Sequence, residues 1–321
     1  MPPGRKRFWM LVQALLAVAV VAAVGWNLAG QLGNPQLGQL TAFRWPYLLL
    51  AGLLYLGCHT LWGAFWVQLL RGQGVKIPWL VGVRAYFVSQ FGKYIPGKAW
   101  VIFLRIGLLK SIDVKPTVVI VTGTYETLVN MAAGAVLGGI LLPWSGLAES
   151  LGEVQRYGLL GLALVPVALF ALNWLIRRIA KKYQAPGSPP FPVPSFGLIV
   201  RGFVQAFFGW GLLGLSLYFV ACGLSANPPE FTFNGFLQNI CGVCISYVIG
   251  FAVLFLPGGL GAREAILQLV LVRQLGETDG SVSLAAALAV ALRVVWTLFE
   301  VIAALSLGCW YPKAKPTEVP A

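Results

Sequence analysis

Residues 91–100 read Phe91-Gly-Lys-Tyr-Ile-Pro-Gly-Lys-Ala-Trp100 and interrupt an otherwise apolar part of the chain. Pro96 has no backbone N–H and disfavours helical geometry at the preceding residue, so a helix that enters this stretch must end there. Gly97 then permits backbone angles that other residues avoid. A helix that restarts near Lys98 would point its free N–H groups at the break, which predicts an anion-binding helix end.

The cationic residues around this break fit the same interpretation. Two lysines flank the break, and an arginine follows on the next predicted helix. The candidate anion-binding residues of this region are Lys93, Tyr94, Pro96, Gly97, Lys98 and Arg105. An ordinary interfacial loop, whose lysines extend towards lipid headgroups, is the alternative interpretation.

A second break has a similar composition, with the sequence Leu256-Pro-Gly-Gly-Leu-Gly-Ala-Arg-Glu264. Its glycines allow successive N–H groups to face one anion. Glu264 could instead serve as a first-turn carboxylate of the helix that follows. The spacing is not that of a nucleotide-binding G-x-x-x-x-G-K-[ST] loop. The candidate residues here are Pro257, Gly258, Gly259, Gly261, Arg263 and Glu264.

The composition of the whole chain requires a membrane. Hydrophobic residues make up 58% of the 321 positions and charged residues only 10%, with a mean hydropathy of +0.80. Soluble domains carry about 25% charged residues, so this chain could not bury its apolar surface in water. The net charge of +13 sits in short clusters between apolar runs, as the positive-inside rule predicts, and we expect no nucleic-acid partner.

Apolar runs of about 20 residues predict an all-α integral membrane protein. We expect seven to eight transmembrane helices plus the two broken or re-entrant elements, in one domain spanning residues 1–321. The clusters of lysine and arginine place the N-terminus and the C-terminus in the cytoplasm. The predicted spans are Phe8–Gly30, Tyr47–Leu70, Thr117–Leu142, Tyr157–Ile176, Phe196–Cys222, Phe231–Leu256 and Leu284–Cys309.

The chain also divides into two halves, at about 1–156 and 157–310, followed by a short cytoplasmic tail at 311–321. Each half contains one Pro-Gly break. An odd number of crossings in the first half would invert the second half. Paired Pro/Gly-interrupted segments at corresponding positions indicate a transporter's binding site.

Charged and polar residues inside predicted spans are costly and usually have partners within the bundle. The candidates for such a role in this chain are Glu126, Asn130, Arg293 and Glu300. We expect Glu126 and Arg293 to form an interhelical ion pair, with Arg105 and Glu264 as a competing pair. A structural role and a role in gating or proton coupling both remain open.

Catalytic chemistry has little support in this sequence. The single histidine, His59, lies in the middle of a span and is expected to be a hydrogen-bonded packing residue. With ten acidic residues and no clustered pair at a plausible loop, we predict no catalytic residue, no metal site and no cofactor. We therefore expect a transporter rather than an enzyme.

The two Pro-Gly motifs, the helix with Glu126 and the late Arg293 together resemble the transmembrane region of the lysylphosphatidylglycerol synthase family. That family includes the flippase half of multiple peptide resistance factors. The resemblance implies a lipid flippase in the bacterial cytoplasmic membrane, whose partners are anionic phosphate-bearing or glycosylated lipids. The chain ends soon after its last predicted helix, so we do not expect the aminoacyl-transferase activity of the full-length synthases.

Two other functions stay open at this point. A non-catalytic membrane partner of a lipid-modifying enzyme encoded nearby would fit the family's fusion to a synthase domain. A membrane-embedded glycosyl or lipid transferase is the third reading, and it would need carboxylates near an aqueous face.

Overall fold

A computed structural model describes residues 42–94, 100–144, 193–252, 261–276 and 279–309, together with 167, 170–171 and 173–178. Throughout these ranges the regular structure is helical, and no strand occurs in them. The helices are α1 (Trp45–Gly72), α2 (Trp79–Ser89), α3 (Trp100–Leu109), α4 (Pro116–Leu141), α5 (Phe196–Leu224), α6 (Phe233–Ala252), α7 (Ala262–Leu275) and α8 (Asp279–Cys309).

Four of these helices, α1, α5, α6 and α8, are long and apolar enough to cross a membrane. The prediction of an all-helical protein that crosses the membrane several times is thereby confirmed for the described residues. α8 begins at Asp279, before the predicted Leu284. The predicted span at 8–30 lies outside the described residues, as does most of the span at 157–176. The total number of spans and the side of each terminus stay predictions.

α4 is long, with 26 residues, but is not among those four helices. Pro116 occupies its first turn, where a missing N–H costs nothing. Its middle carries Tyr125, Glu126 and Asn130, all of them buried. α4 therefore turns a polar face towards the inside of the bundle.

The centre of the bundle is an antiparallel pair formed by α1 and α5. Large side chains of each helix lie against glycines of the other helix, and these glycines let the two backbones approach closely. Residue numbers rise along α1 while those of their contacts fall along α5. The contacts are Leu48–Gly223, Gly57–Leu212, Trp62–Gly209, Phe65–Gly202 and Gly72–Leu198. The Ser216 hydroxyl also donates to the Ala51 carbonyl, at 2.8 Å.

The remaining helices surround this pair. α4 packs on α5 and α6, α7 lies between α6 and α8, and α3 contacts α2 and α4. α2 packs on α1 and α8, where Arg84 donates to the carbonyls of Leu307, at 2.8 Å, and Gly308, at 3.3 Å. A cation at these last carbonyls satisfies acceptors that the helix itself leaves open.

The first Pro-Gly motif joins two short helices. α2 ends at Ser89, a 3₁₀ turn covers Gln90–Tyr94, and α3 begins at Trp100. Gly92 lies so close to the start of α3 that a Cβ would come within 2.6 Å of the Trp100 carbonyl carbon. Only glycine fits there, so Gly92 allows the 3₁₀ turn to pack directly against the start of α3.

Gly209→Ala should destabilise the protein, because the new methyl would come within 2.6 Å of Trp62 Nε1 and 3.1 Å of Cys58 Sγ. Overpacking of this kind costs about 1–3 kcal/mol. The matched control is Gly211→Ala on the same helix, where nothing lies within 4 Å of the added Cβ. Thermal unfolding in detergent should show a lower midpoint for the first variant only. Equal midpoints for the two variants would contradict the packing of α1 on α5.

Candidate functional site

Among the residues that the structure describes, three ion pairs lie in the interior of the bundle, and each joins two different structural elements. They link α3 to α4, α7 to α8, and the 90–94 turn to α8. The pairs are Arg105–Glu126 at 3.0 Å, Glu264–Arg293 at 2.8 Å, and Lys93–Glu300. All six residues were predicted site residues, so the structure brings the described charged candidates together.

Arg105 is the most deeply buried of these cations, with 2% of its surface exposed. Its guanidinium lies over the rings of Trp66, at 4.4 Å, and Tyr86, at 4.8 Å. It also donates to Ser89 Oγ at 3.2 Å and to Glu126 Oε2 at 3.0 Å. Aromatic faces and two hydrogen bonds replace the water that a buried guanidinium loses.

Glu126 is held from its other side by Asn130, whose Nδ2 donates to Oε1 at 2.7 Å. The expected ion pair between Glu126 and Arg293 is therefore wrong, and so is the competing pair between Arg105 and Glu264. The physical reason is that α3 packs directly on α4, and α7 directly on α8. Each carboxylate thus finds its cation on the helix next to it along the chain.

Glu264 has two tasks at the start of α7. Its Oε2 accepts the Gly261 N–H at 2.7 Å, and its Oε1 accepts from Arg293 at 2.8 Å. Gly261 has a φ of 82°, a conformation that favours glycine. The first-turn role considered for Glu264 thus coexists with an ion pair to Arg293 that was not predicted, and together they fix the start of α7 against α8.

The pair of Lys93 and Glu300 includes a tyrosine that the sequence did not reveal. Tyr55 Oη donates to Glu300 Oε2 at 2.5 Å, and its ring stacks on Trp296 at 5.2 Å. Trp296 in turn donates to Ser216 Oγ at 2.8 Å. Tyr55 lies in an apolar run of α1. Because that run has no polar periodicity, the sequence does not show which side of the helix faces the pair of Lys93 and Glu300.

A cavity of about 350 Å³ lies between α1, α4 and α6 and is bounded by α2, α3 and the start of α7. This volume is at the lower end of the roughly 300–1,000 Å³ found for ligand pockets. The charged or amide side chains on its wall include Lys93, Arg105, Glu126, Asn130 and Arg263, and the ring side chains include His59, Trp62, Tyr86 and Tyr247.

A smaller cavity of about 40 Å³ adjoins the first and has room for a few water molecules. Its wall includes Glu264, Arg293 and Glu300. Both cavities share Lys93 and Arg263, the described charged residues nearest in sequence to the two Pro-Gly breaks. Cationic groups next to both motifs thus meet at one place inside the bundle.

Arg263 differs from the other cations of the site. Its guanidinium lies over the Tyr247 ring at 3.5 Å, and its stem lies against Gly250, where a Cβ would overlap it. Within the described ranges its Nε has no hydrogen-bond partner, and no carboxylate pairs with it. The two cavities together carry four cations and three carboxylates: Lys93, Arg105, Arg263 and Arg293 against Glu126, Glu264 and Glu300.

His59 corrects a further expectation. It is 3% exposed and packs among rings, with Tyr55 at 4.4 Å and Trp62 at 5.3 Å. Packing was predicted, but hydrogen bonding was not observed: neither ring nitrogen has a partner in the described part of the chain. No sequence signal separates a satisfied histidine from one that faces a cavity.

Some predicted site residues cannot be placed. The first motif's Pro96, Gly97 and Lys98 lie outside the described residues, as do Pro257, Gly258 and Gly259 of the second, and the side chain of Tyr94. In the described ranges, no three His, Cys, Asp or Glu side chains form a group that could hold a metal ion.

Double-mutant cycles can test the pairing of Glu126. Glu126→Gln alone should lower the free energy of unfolding by about 3–5 kcal/mol, because it leaves Arg105 buried without its anion. Arg105→Met combined with Glu126→Gln should show a coupling above about 1 kcal/mol, whereas Arg293→Met combined with Glu126→Gln should be additive within about 0.5 kcal/mol. Denaturant titrations in detergent give these values. Coupling only to Arg293 would refute the pairing described here.

Comparison with known proteins assigns the chain to one family. No curated protein matches the sequence. A family model described as the lysylphosphatidylglycerol synthase TM region matches residues 14–304, nearly the whole chain. The resemblance in the Pro-Gly motifs and buried charges is thereby confirmed, and the chain belongs to the lysylphosphatidylglycerol synthase transmembrane-region family.

Proposed function

We propose that this multi-pass membrane protein captures a phosphate-bearing lipid headgroup in the cavity at Arg263 and moves the lipid between the two leaflets. The single observation that carries the proposal is the excess cation. Arg263 is partly buried at the meeting point of two cavities, and no carboxylate among the described residues neutralises it.

Electrostatics explains why an anion belongs there. An unpaired charge inside a membrane protein is costly, and such residues usually mark the path of a substrate. Lys93, Arg105 and Arg293 each have a carboxylate partner already. A phosphate placed beside Arg263 would supply the missing negative charge, and a guanidinium binds phosphate through paired hydrogen bonds.

The size of the cavity indicates which part of a lipid it holds. About 350 Å³ suits a headgroup, while two acyl chains need much more room. The tails would therefore stay in the hydrocarbon of the bilayer while the headgroup crosses through protein. This division avoids the cost of carrying a charged headgroup through hydrocarbon.

The packing of the helices supports movement by the broken elements. α3 and α7 are short, with 10 and 14 residues. Each begins at or just after a Pro-Gly motif, and each contributes a charged residue to the cavities. α3 and α7 occupy corresponding positions in the two halves of the chain, which supports the predicted repeat. The proposed location is the bacterial cytoplasmic membrane, with both termini on its cytoplasmic side.

Arg263→Gln should slow the transbilayer movement of an anionic lipid about tenfold or more, because a hydrogen-bonded charge partner is worth about 1.5–3 kcal/mol. The full chain is reconstituted in vesicles with tail-labelled phosphatidic acid, and the label on the outer leaflet is followed with an impermeant quencher. The matched control is Arg273→Gln, an exposed arginine on the same helix. It should move lipid as the unaltered chain does.

Two results would go against this function. Equal movement by the unaltered chain and Arg263→Gln would remove Arg263 from the path. Binding of phosphatidic acid without movement in any variant would favour the alternative of a membrane protein that holds a lipid for a lipid-modifying enzyme.

A further inference from the structure

Several buried polar atoms on the wall of the large cavity have no partner in the described part of the chain. They are the two ring nitrogens of His59, the Asn130 side-chain oxygen, and two N–H donors, Trp62 Nε1 and Arg263 Nε. His59 is 3% exposed and Asn130 is 1% exposed, so bulk water does not satisfy them. Buried polar groups are nearly always hydrogen-bonded, and each exception calls for an explanation.

The chemistry of these atoms restricts what could satisfy them. The Asn130 oxygen is an acceptor only, because its amide nitrogen already donates to Glu126. A neutral imidazole offers one donor and one acceptor. Two acceptors on this wall therefore need hydrogen-bond donors. An ionised phosphate monoester or diester oxygen is an acceptor, so the phosphate that pairs with Arg263 cannot provide them.

When a headgroup fills the cavity, these donors would have to come from a part of it other than the phosphate, and charge selects their type. An ammonium group would offer donors, but the cavity wall already carries Lys93, Arg105 and Arg263 against the single carboxylate of Glu126. That carboxylate has both oxygens occupied, by Arg105 and by Asn130. A second ligand cation would meet net repulsion there, whereas a hydroxyl donates a hydrogen bond without adding charge.

Resting on the proposed function, we infer that the headgroup is polyhydroxylated: a phosphate at Arg263 followed by a neutral polyol or sugar whose hydroxyls donate to His59 and Asn130. The rings of Trp62, Tyr86 and Tyr247 on the same wall give apolar surface for the carbon skeleton of such a group. The same wall disfavours headgroups that end in an ammonium.

His59→Phe tests this inference without disturbing the packing. Phenylalanine keeps a ring of similar size among the neighbouring rings, and it removes two nitrogens that have no partner in the described chain. Its thermal midpoint should therefore equal or exceed that of the unaltered protein, because an unsatisfied buried group is lost. A merely structural histidine would give that same midpoint and no change in lipid preference.

The experiment measures dissociation constants of the full chain in phosphatidylcholine nanodiscs for three tail-labelled lipids. Phosphatidylinositol supplies phosphate and hydroxyls, phosphatidic acid supplies phosphate without hydroxyls, and phosphatidylethanolamine ends in an ammonium. The unaltered chain should bind phosphatidylinositol about three- to tenfold more tightly than phosphatidic acid, as one or two net hydrogen bonds predict. Phosphatidylethanolamine should bind more weakly than either.

In His59→Phe, the affinity for phosphatidylinositol should fall about three- to tenfold, and that for phosphatidic acid should not change. Equal binding of these two lipids by both proteins would overturn the polyhydroxyl inference and leave the proposed function intact. Tighter binding of phosphatidylethanolamine would overturn the argument against an ammonium. Failure of the unaltered chain to bind any anionic lipid would instead overturn the proposed function.

Discussion

A charge buried in a membrane protein has to be matched inside the protein, and the ion pair of Arg105 with Glu126 meets that constraint between α3 and α4. The guanidinium is almost wholly buried, and the carboxylate reaches it at 3.0 Å. Removing either charge would leave the other in a medium that solvates it poorly. The pair therefore fixes α3 on α4, and with them one wall of the large cavity. The same logic fixes α7 on α8 through Glu264 and Arg293.

The charged and polar groups that have no partner in these ion pairs indicate what the cavity binds. Of the four cations that the described residues place on the cavity walls, three have a carboxylate partner there, and Arg263 has none within the described ranges. Likewise Asn130 has a partner for its nitrogen, and its oxygen has none in the part of the chain that the structure describes. The ion pairs that hold the helices together are thus formed, while some groups that face the cavity still have no partner among the described residues. That combination is typical of a binding site that is already formed before its ligand arrives.

The sequence predicted the class of fold and most of the charged residues of the site, but not their partners. Composition alone places the chain in a membrane, and the cost of burial alone marks Glu126 and Arg293. The pairing depends on which short helix folds back on which long one. Arg105 and Glu126 are 21 residues apart, and Glu264 and Arg293 are 29 apart, so both pairs close between consecutive helices. Tyr55 was missed, and His59 was predicted to pack but not to face a cavity, for another reason: α1 is apolar on every side, and in a bilayer an apolar surface does not reveal which face is inside.

The glycine contacts between α1 and α5 have a mechanical consequence. Trp62 and Phe65 sit where glycines of α5 leave room, and Leu212 and Leu198 do the same against glycines of α1. Side chains that interlock in both directions resist sliding, so we expect these two helices to move together as one unit. In the proposed function, an opening that admits a lipid would fall on the short helices α3 and α7. These are held by ion pairs and hydrogen bonds, which can exchange partners with a headgroup in a way that interlocked side chains cannot.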